Sequence, residues 1–101
     1  MRLPGGSTCI IGRNQADNAA LQQAMAEDDV LLDTVNVPGP TLLIPFGVRE
    51  PADITQAVQV CAAYSDHREK PTVTVRVVAS GKESVHTLAG GSRDAYASWV
   101  I

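Results

Sequence analysis

Cys9-Ile10-Ile11-Gly12-Arg13-Asn14-Gln15-Ala16-Asp17-Asn18 reads as a buried strand handing over to a helix. Small or apolar residues run up to Gly12, which gives a tight exit. Asn14 is placed to cap a helix, with Asp17 three residues on as a shortened capping box. At such a junction unpaired backbone N–H groups and the positive helix end face outward, and anions settle there. Arg13 adds a full positive charge, which makes this junction the candidate site of the chain.

Outward from that stretch, Ala20, Leu21, Ala24 and Met25 continue a narrow apolar stripe at helical spacing, with Gln22, Gln23 and Glu27 on the wet side. Glu27-Asp28-Asp29 would meet the wrong end of the helix dipole, so these acids belong to the turn that leaves it. Residues 30–37 and 41–46 are β-rich and are joined by Pro38-Gly39-Pro40, a turn of type II in which Gly39 supplies a positive φ. They form an antiparallel pair. Pro40 and Pro45 cannot donate to a ladder, so one edge should be unpaired or bulged.

Pro51 suits the start of a second helix, with Asp53 in its first turn. Ile54, Ala57, Val58, Cys61, Ala62 and Ser65 repeat at helical spacing, and Asp66-His67-Arg68-Glu69-Lys70-Pro71 closes the element. Thr72-Val73-Thr74-Val75-Arg76-Val77-Val78 alternates as a half-buried strand, with the odd-numbered valines on one side. Ser80-Gly81-Lys82 turns it into a partner strand over 83–88. Ser92 then caps a short final helix that carries Ala95, Tyr96, Trp99 and Val100. Residues 1–6 read as a flexible lead-in. The expected fold is α+β, a mostly antiparallel sheet with helices packed on one face, in the order β-α-β-β-α-β-β-α, as one domain over residues 1–101.

Composition narrows the function. A chain of 101 residues buries roughly 60–65% of its unfolded surface. Hydrophobic content of 45% against 19% charged describes an ordinary globular domain. Aromatics are only 4%, so the core is aliphatic and few rings are left for stacking bases. The net charge of −3 opposes strong, non-specific nucleic-acid binding but leaves room for a local basic patch. Cys9 and Cys61 match no metal spacing and read as buried free thiols, in keeping with a reducing cytoplasm. No secretory signal is expected, since residues 1–6 are too short and too broken for one, and the sequence shows no long apolar segment, nucleotide loop, zinc motif or nucleophile elbow. His67 and His86 have no ligand partners in sequence and read as surface residues. The expectation is a non-enzyme without cofactor or metal, which does not act at a membrane or on DNA.

Ile10-Ile11-Gly12-Arg13-Asn14, with Asn18 and Leu21, resembles the opening of the NFACT-R domain, the RNA-binding module of the NFACT proteins. The similarity continues through Asp28-Asp29-Val30-Leu31, Val35-Asn36-Val37-Pro38-Gly39-Pro40, Asp53-Ile54, Gln56-Ala57 and Cys61-Ala62-Ala63-Tyr64-Ser65-Asp66-His67-Arg68, then Val73 and Val75. The resemblance implies contact with RNA, above all tRNA or ribosomal RNA, by a stand-alone single-domain member. Such a member would work with partner proteins in RNA modification or processing, or in ribosome-associated quality control. The chain departs from the family in one hairpin. Asp29-Val30-Leu31-Leu32-Asp33 stands where the family has an aromatic pair and a histidine, and Pro40-Thr41 where it favours serine and histidine.

The expected RNA contacts are Arg13, Asn14, Asn18, Arg68, Lys70 and Arg76, with the cations on phosphates and the two asparagines on sugar or base edges. The alternative is a protein-interaction or dimerisation module that keeps the fold without RNA. Exposed Leu31 and Leu32, or Trp99-Val100-Ile101, would then form its partner surface. Clustering discriminates the two: RNA binding needs Arg13, Arg68 and Arg76 on one face.

Overall fold

A computed structural model describes residues 1–12, 14–48, 50–67 and 71–99, with Ala97 described by its backbone alone. Its spine is β4 (Val73–Ala79), whose β-branched residues Val73, Val75 and Val77 point alternately into the core. On one side β4 pairs with β2 (Val30–Thr34), on the other with β5 (Lys82–Leu88). Ser80 and Gly81, both at positive φ, form the two-residue hairpin turn between β4 and β5, as type I′ geometry requires. β3 (Leu42–Ile44) pairs with β2, and β1 (Ile10–Ile11) pairs with β3, giving an antiparallel sheet in the order β1-β3-β2-β4-β5. β3 is confined to the three residues that Pro40 and Pro45 allow, because neither proline can donate to a ladder.

The register puts Leu42 opposite both Ile11 and Leu32, and Leu32 opposite Val77. Ile11, Leu42, Ile44, Val30, Leu32, Val73, Val75 and Val77 therefore share one sheet face. Against it lies α2 (Ala52–Ala63), which contributes Ala57, Val58, Val60, Cys61 and Ala62 to the same core. Each fully buried Val or Leu is worth about 1.5–3 kcal/mol, so this face dominates stability. α1 (Gln15–Ala24) contacts β3 but buries none of its residues; Leu21 and Met25 are only half-buried. After β5, a 3-10 helix over Arg93–Trp99 brings Tyr96 and Trp99 edge-to-face, centroids 4.9 Å apart, against the core. Ser92 Oγ accepts from the Asp94 N–H at its start, as expected of a cap.

The architecture is the expected α+β arrangement, and three local readings are corrected. Residues 1–6, read as a lead-in, are packed: Leu3 is buried, the Arg2 N–H donates to the Trp99 carbonyl, and Cys9 N–H donates to the Met1 carbonyl. Asp53 is the reason. It is buried at the start of α2, and its carboxylate accepts from the N–H groups of Gly5 (2.8 Å) and Ser7 (3.2 Å). Leu31 and Leu32, read as an exposed partner surface, are buried in β2, flanked by β3 and β4. Gly39 does not adopt a positive φ. It is required for close approach, since an added Cβ would come 2.6 Å from Thr34 Oγ1 and 3.0 Å from Ser65 Cβ.

Candidate nucleic-acid interface

The junction after β1 opens into a groove of about 850 Å³. It is lined by Gly12, Asn14, Gln15 and Asn18 and by the loop Pro38-Gly39-Pro40 with Tyr64, Asp66 and Arg93. Asn14 caps α1 as expected: its Oδ1 accepts from the Asp17 N–H at 2.9 Å. Asn18 Oδ1 accepts from the Thr41 N–H at 3.0 Å, and the Gly12 N–H donates to the Thr41 carbonyl at 2.8 Å. Those bonds join the junction to the start of β3. A Cβ at position 12 would collide with Asn18 Oδ1 and push that side chain off the Thr41 N–H. Since both Oδ1 atoms are committed to backbone donors, the orientation of each amide is fixed and its NH2 end is left for a ligand.

Arg93 closes the groove. Its guanidinium lies over the Tyr64 ring, 5.5 Å from the centroid, and its Nη2 donates to the Tyr64 carbonyl at 3.4 Å. Among the described residues no carboxylate pairs with it. A second hollow of about 490 Å³, lined by Ala63, Ser65, Asp66, His67, Gly91 and Arg93, adjoins the first along Asp66 and Arg93. The Asp66 N–H donates to the Pro38 carbonyl at 2.7 Å, which ties the end of α2 to the Pro38-Gly39-Pro40 loop.

Of the six expected contact residues, Asn14 and Asn18 meet in this groove, while Arg13, Arg68 and Lys70 lie outside the described residues. Arg76 does not line the groove. On β4 its Nε and Nη2 donate to the two carboxylate oxygens of Asp33, and Nε lies 3.4 Å from Glu83 Oε1. The Asp33 hydrogen bond and charge, with Glu83 adding less, hold its pKa above the usual arginine value. Its charge is thus already engaged within the sheet. Arg93 was missed in sequence because nothing local ties it to the junction some eighty positions earlier; the only hint was a cation just after the Ser92 cap.

The other ionisable groups serve the fold. Ser65 Oγ lies 3.3 Å from His67 Nδ1, but it is buried and donates to the Ala62 carbonyl at 2.6 Å, so the pair closes the end of α2 rather than activating a nucleophile. Burial pushes the Cys9 and Cys61 thiols up to about 12, which keeps both neutral and unreactive. Asp29 accepts from the N–H groups of Ala26 and Phe46, each at 2.9 Å, and these bonds hold its carboxyl below the usual range. No helix among the described residues is long and apolar enough to cross a membrane.

Comparison with known proteins agrees with the sequence resemblance. Residues 1–100 match the family model described as the NFACT protein RNA binding domain. No curated protein matches. Among solved structures, the fold is similar to the C-terminal part of the fibronectin/fibrinogen-binding protein from Streptococcus suis. The TM-score is 0.69 at 18% identity, over 92% of this chain and 45% of that one. At that identity the likeness concerns the fold, and this chain spans less than half the length of that relative.

Proposed function

Because the chain belongs to the family of NFACT RNA-binding domains, we propose that it is a small RNA-binding module whose contact surface is the groove beside the β1–α1 junction. The observation that carries this reading is the meeting, at one groove, of hydrogen-bond donors from segments far apart in sequence: Asn14 and Asn18 at the start of α1, and Arg93 at the start of the 3-10 helix. The asparagine amides are fixed by backbone donors and offer NH2 groups to sugar or base acceptors, while Arg93 offers a cation. Arg13, Arg68 and Lys70 complete the proposed phosphate contacts. Arg76 is the weakest of the expected set, since Asp33 and Glu83 already surround it.

tRNA is the proposed RNA. The proposed setting is the cytoplasm, with partner proteins, in RNA modification or processing or in quality control on the ribosome. The alternative reading as a protein-interaction module had two candidate surfaces: Leu31–Leu32 is buried, and of the other, Trp99 packs against the core while Val100 and Ile101 lie outside the described residues. Among the described residues, the large apolar side chains that are exposed do not gather. Ile10 and Val85 sit on opposite edge strands, and Val35 and Phe46 at opposite ends of the β2–β3 pair.

The test is fluorescence anisotropy of labelled tRNA with the purified chain and with an Arg13→Ala, Arg68→Ala double variant. With about three phosphate contacts, a fourfold rise in salt should weaken binding roughly thirtyfold. The double variant should bind more weakly and show a shallower salt slope. Absence of binding at low salt would contradict the reading.

A further inference from the structure

The two hollows meet at Arg93, and the way that residue is held bears on which form of RNA fits. Its guanidinium has one side over Tyr64 and is anchored by the Tyr64 carbonyl, while the residue as a whole is exposed. A planar cation fixed in this way offers its open side as a flat platform, and bases stack on guanidinium planes as they do on aromatic rings. Asn14 and Asn18 line the larger hollow, and their amide NH2 groups suit the carbonyl acceptors on a base edge or the oxygens of a sugar.

Size and charge point the same way. A hollow of about 850 Å³ falls within the roughly 300–1,000 Å³ of sites that take small ligands. Double-stranded RNA, by contrast, is gripped across its minor grooves through rows of phosphate and 2′-hydroxyl contacts. A chain whose net charge is −3 does not favour such rows of phosphate contacts.

Resting on the RNA-binding reading above, we infer that the groove takes an unpaired stretch of RNA, with one base laid on the Arg93 guanidinium and the strand running from one hollow into the other. Base pairing would hide both the stacking face and the edges that Asn14 and Asn18 are placed to meet.

The experiment titrates the full chain and its Arg93→Lys and Arg93→Ala variants against three labelled probes: a short unstructured RNA, the same RNA annealed to its complement, and tRNA. The inference expects the single strand to bind at least about tenfold more tightly than the duplex. Both variants should lose about tenfold on the single strand, because lysine keeps the charge but not the platform. A duplex that binds as tightly as the single strand overturns the inference and leaves the RNA reading standing. An Arg93→Lys variant with full affinity overturns the stacking role, since a phosphate contact would account for it. Failure of all three probes to bind at low salt removes the RNA reading, and the inference with it.

Discussion

The β4–β5 hairpin and the groove by α1 both present polar side chains to solvent, yet they use them in opposite ways. On the hairpin, Arg76 is gripped by both carboxylate oxygens of Asp33 and flanked by Glu83, and Thr74 and Thr87 hydroxyls meet at 3.1 Å. Each of these groups has found its partner inside the sheet. In the groove, Arg93 is held by a ring and a carbonyl, and Asn14 and Asn18 by backbone N–H groups, so charge and donors stay directed outward. An arginine is therefore a poor guide to a binding site until its carboxylate neighbours are known. The hairpin is also built from local pairing, whereas the groove depends on contacts across the whole chain.

That contrast breaks most visibly at the supports of the groove. Asp53→Ala should cost about 3 kcal/mol by leaving the Gly5 and Ser7 N–H groups without their acceptor, read as a fall in the denaturation midpoint. A stability within about 0.5 kcal/mol of the parent, the range of ordinary surface changes, would show that the N-terminal loop is not held as described. Gly39→Ala, which forces a Cβ against Thr34 and Ser65, should cost about 2 kcal/mol from overpacking. It should weaken RNA binding in step, because Gly39 lines the groove.

On the hairpin, Arg76→Ala removes a partly exposed ion pair and should cost only about 1 kcal/mol. The smallest effect belongs to Asp29, outside both regions. Its folded pKa lies below the usual 3.8, so its stabilising contribution is present above that value and lost as pH falls through the lower folded one. Asp29→Asn should flatten the acid limb of stability below about pH 4. An unchanged acid limb in thermal melts would contradict the role given to the Ala26 and Phe46 bonds.

What was legible in the sequence was local. Alternating valines gave β4, the Asn14–Asp17 spacing gave the cap of α1, and Pro51 with its helical repeat gave α2. The junction at Gly12 was picked out because a strand-to-helix exit has a recognisable order of residue types. What stayed hidden depended on separation along the chain. Asp53 reaches back 46 and 48 positions to Ser7 and Gly5, and no periodicity announces that. Gly39 looked like a turn glycine because its crowding by Thr34 and Ser65 exists only once α2 has docked. Arg76 looked available for RNA because Asp33 comes beside it only through the β2–β4 register. Arg93 drew no notice because the Tyr64 ring and carbonyl that hold it lie 29 positions away.

The most direct test compares the two arginines on the same RNA. Affinity of tRNA for the parent chain, Arg93→Ala and Arg76→Ala is measured at low salt, beside the thermal stability of each. The account predicts an affinity about tenfold weaker for Arg93→Ala with unchanged stability, and an unchanged affinity for Arg76→Ala with lowered stability. Equal losses of affinity in both variants, or a loss in Arg76→Ala alone, would contradict it and move the RNA surface to the open face of the sheet.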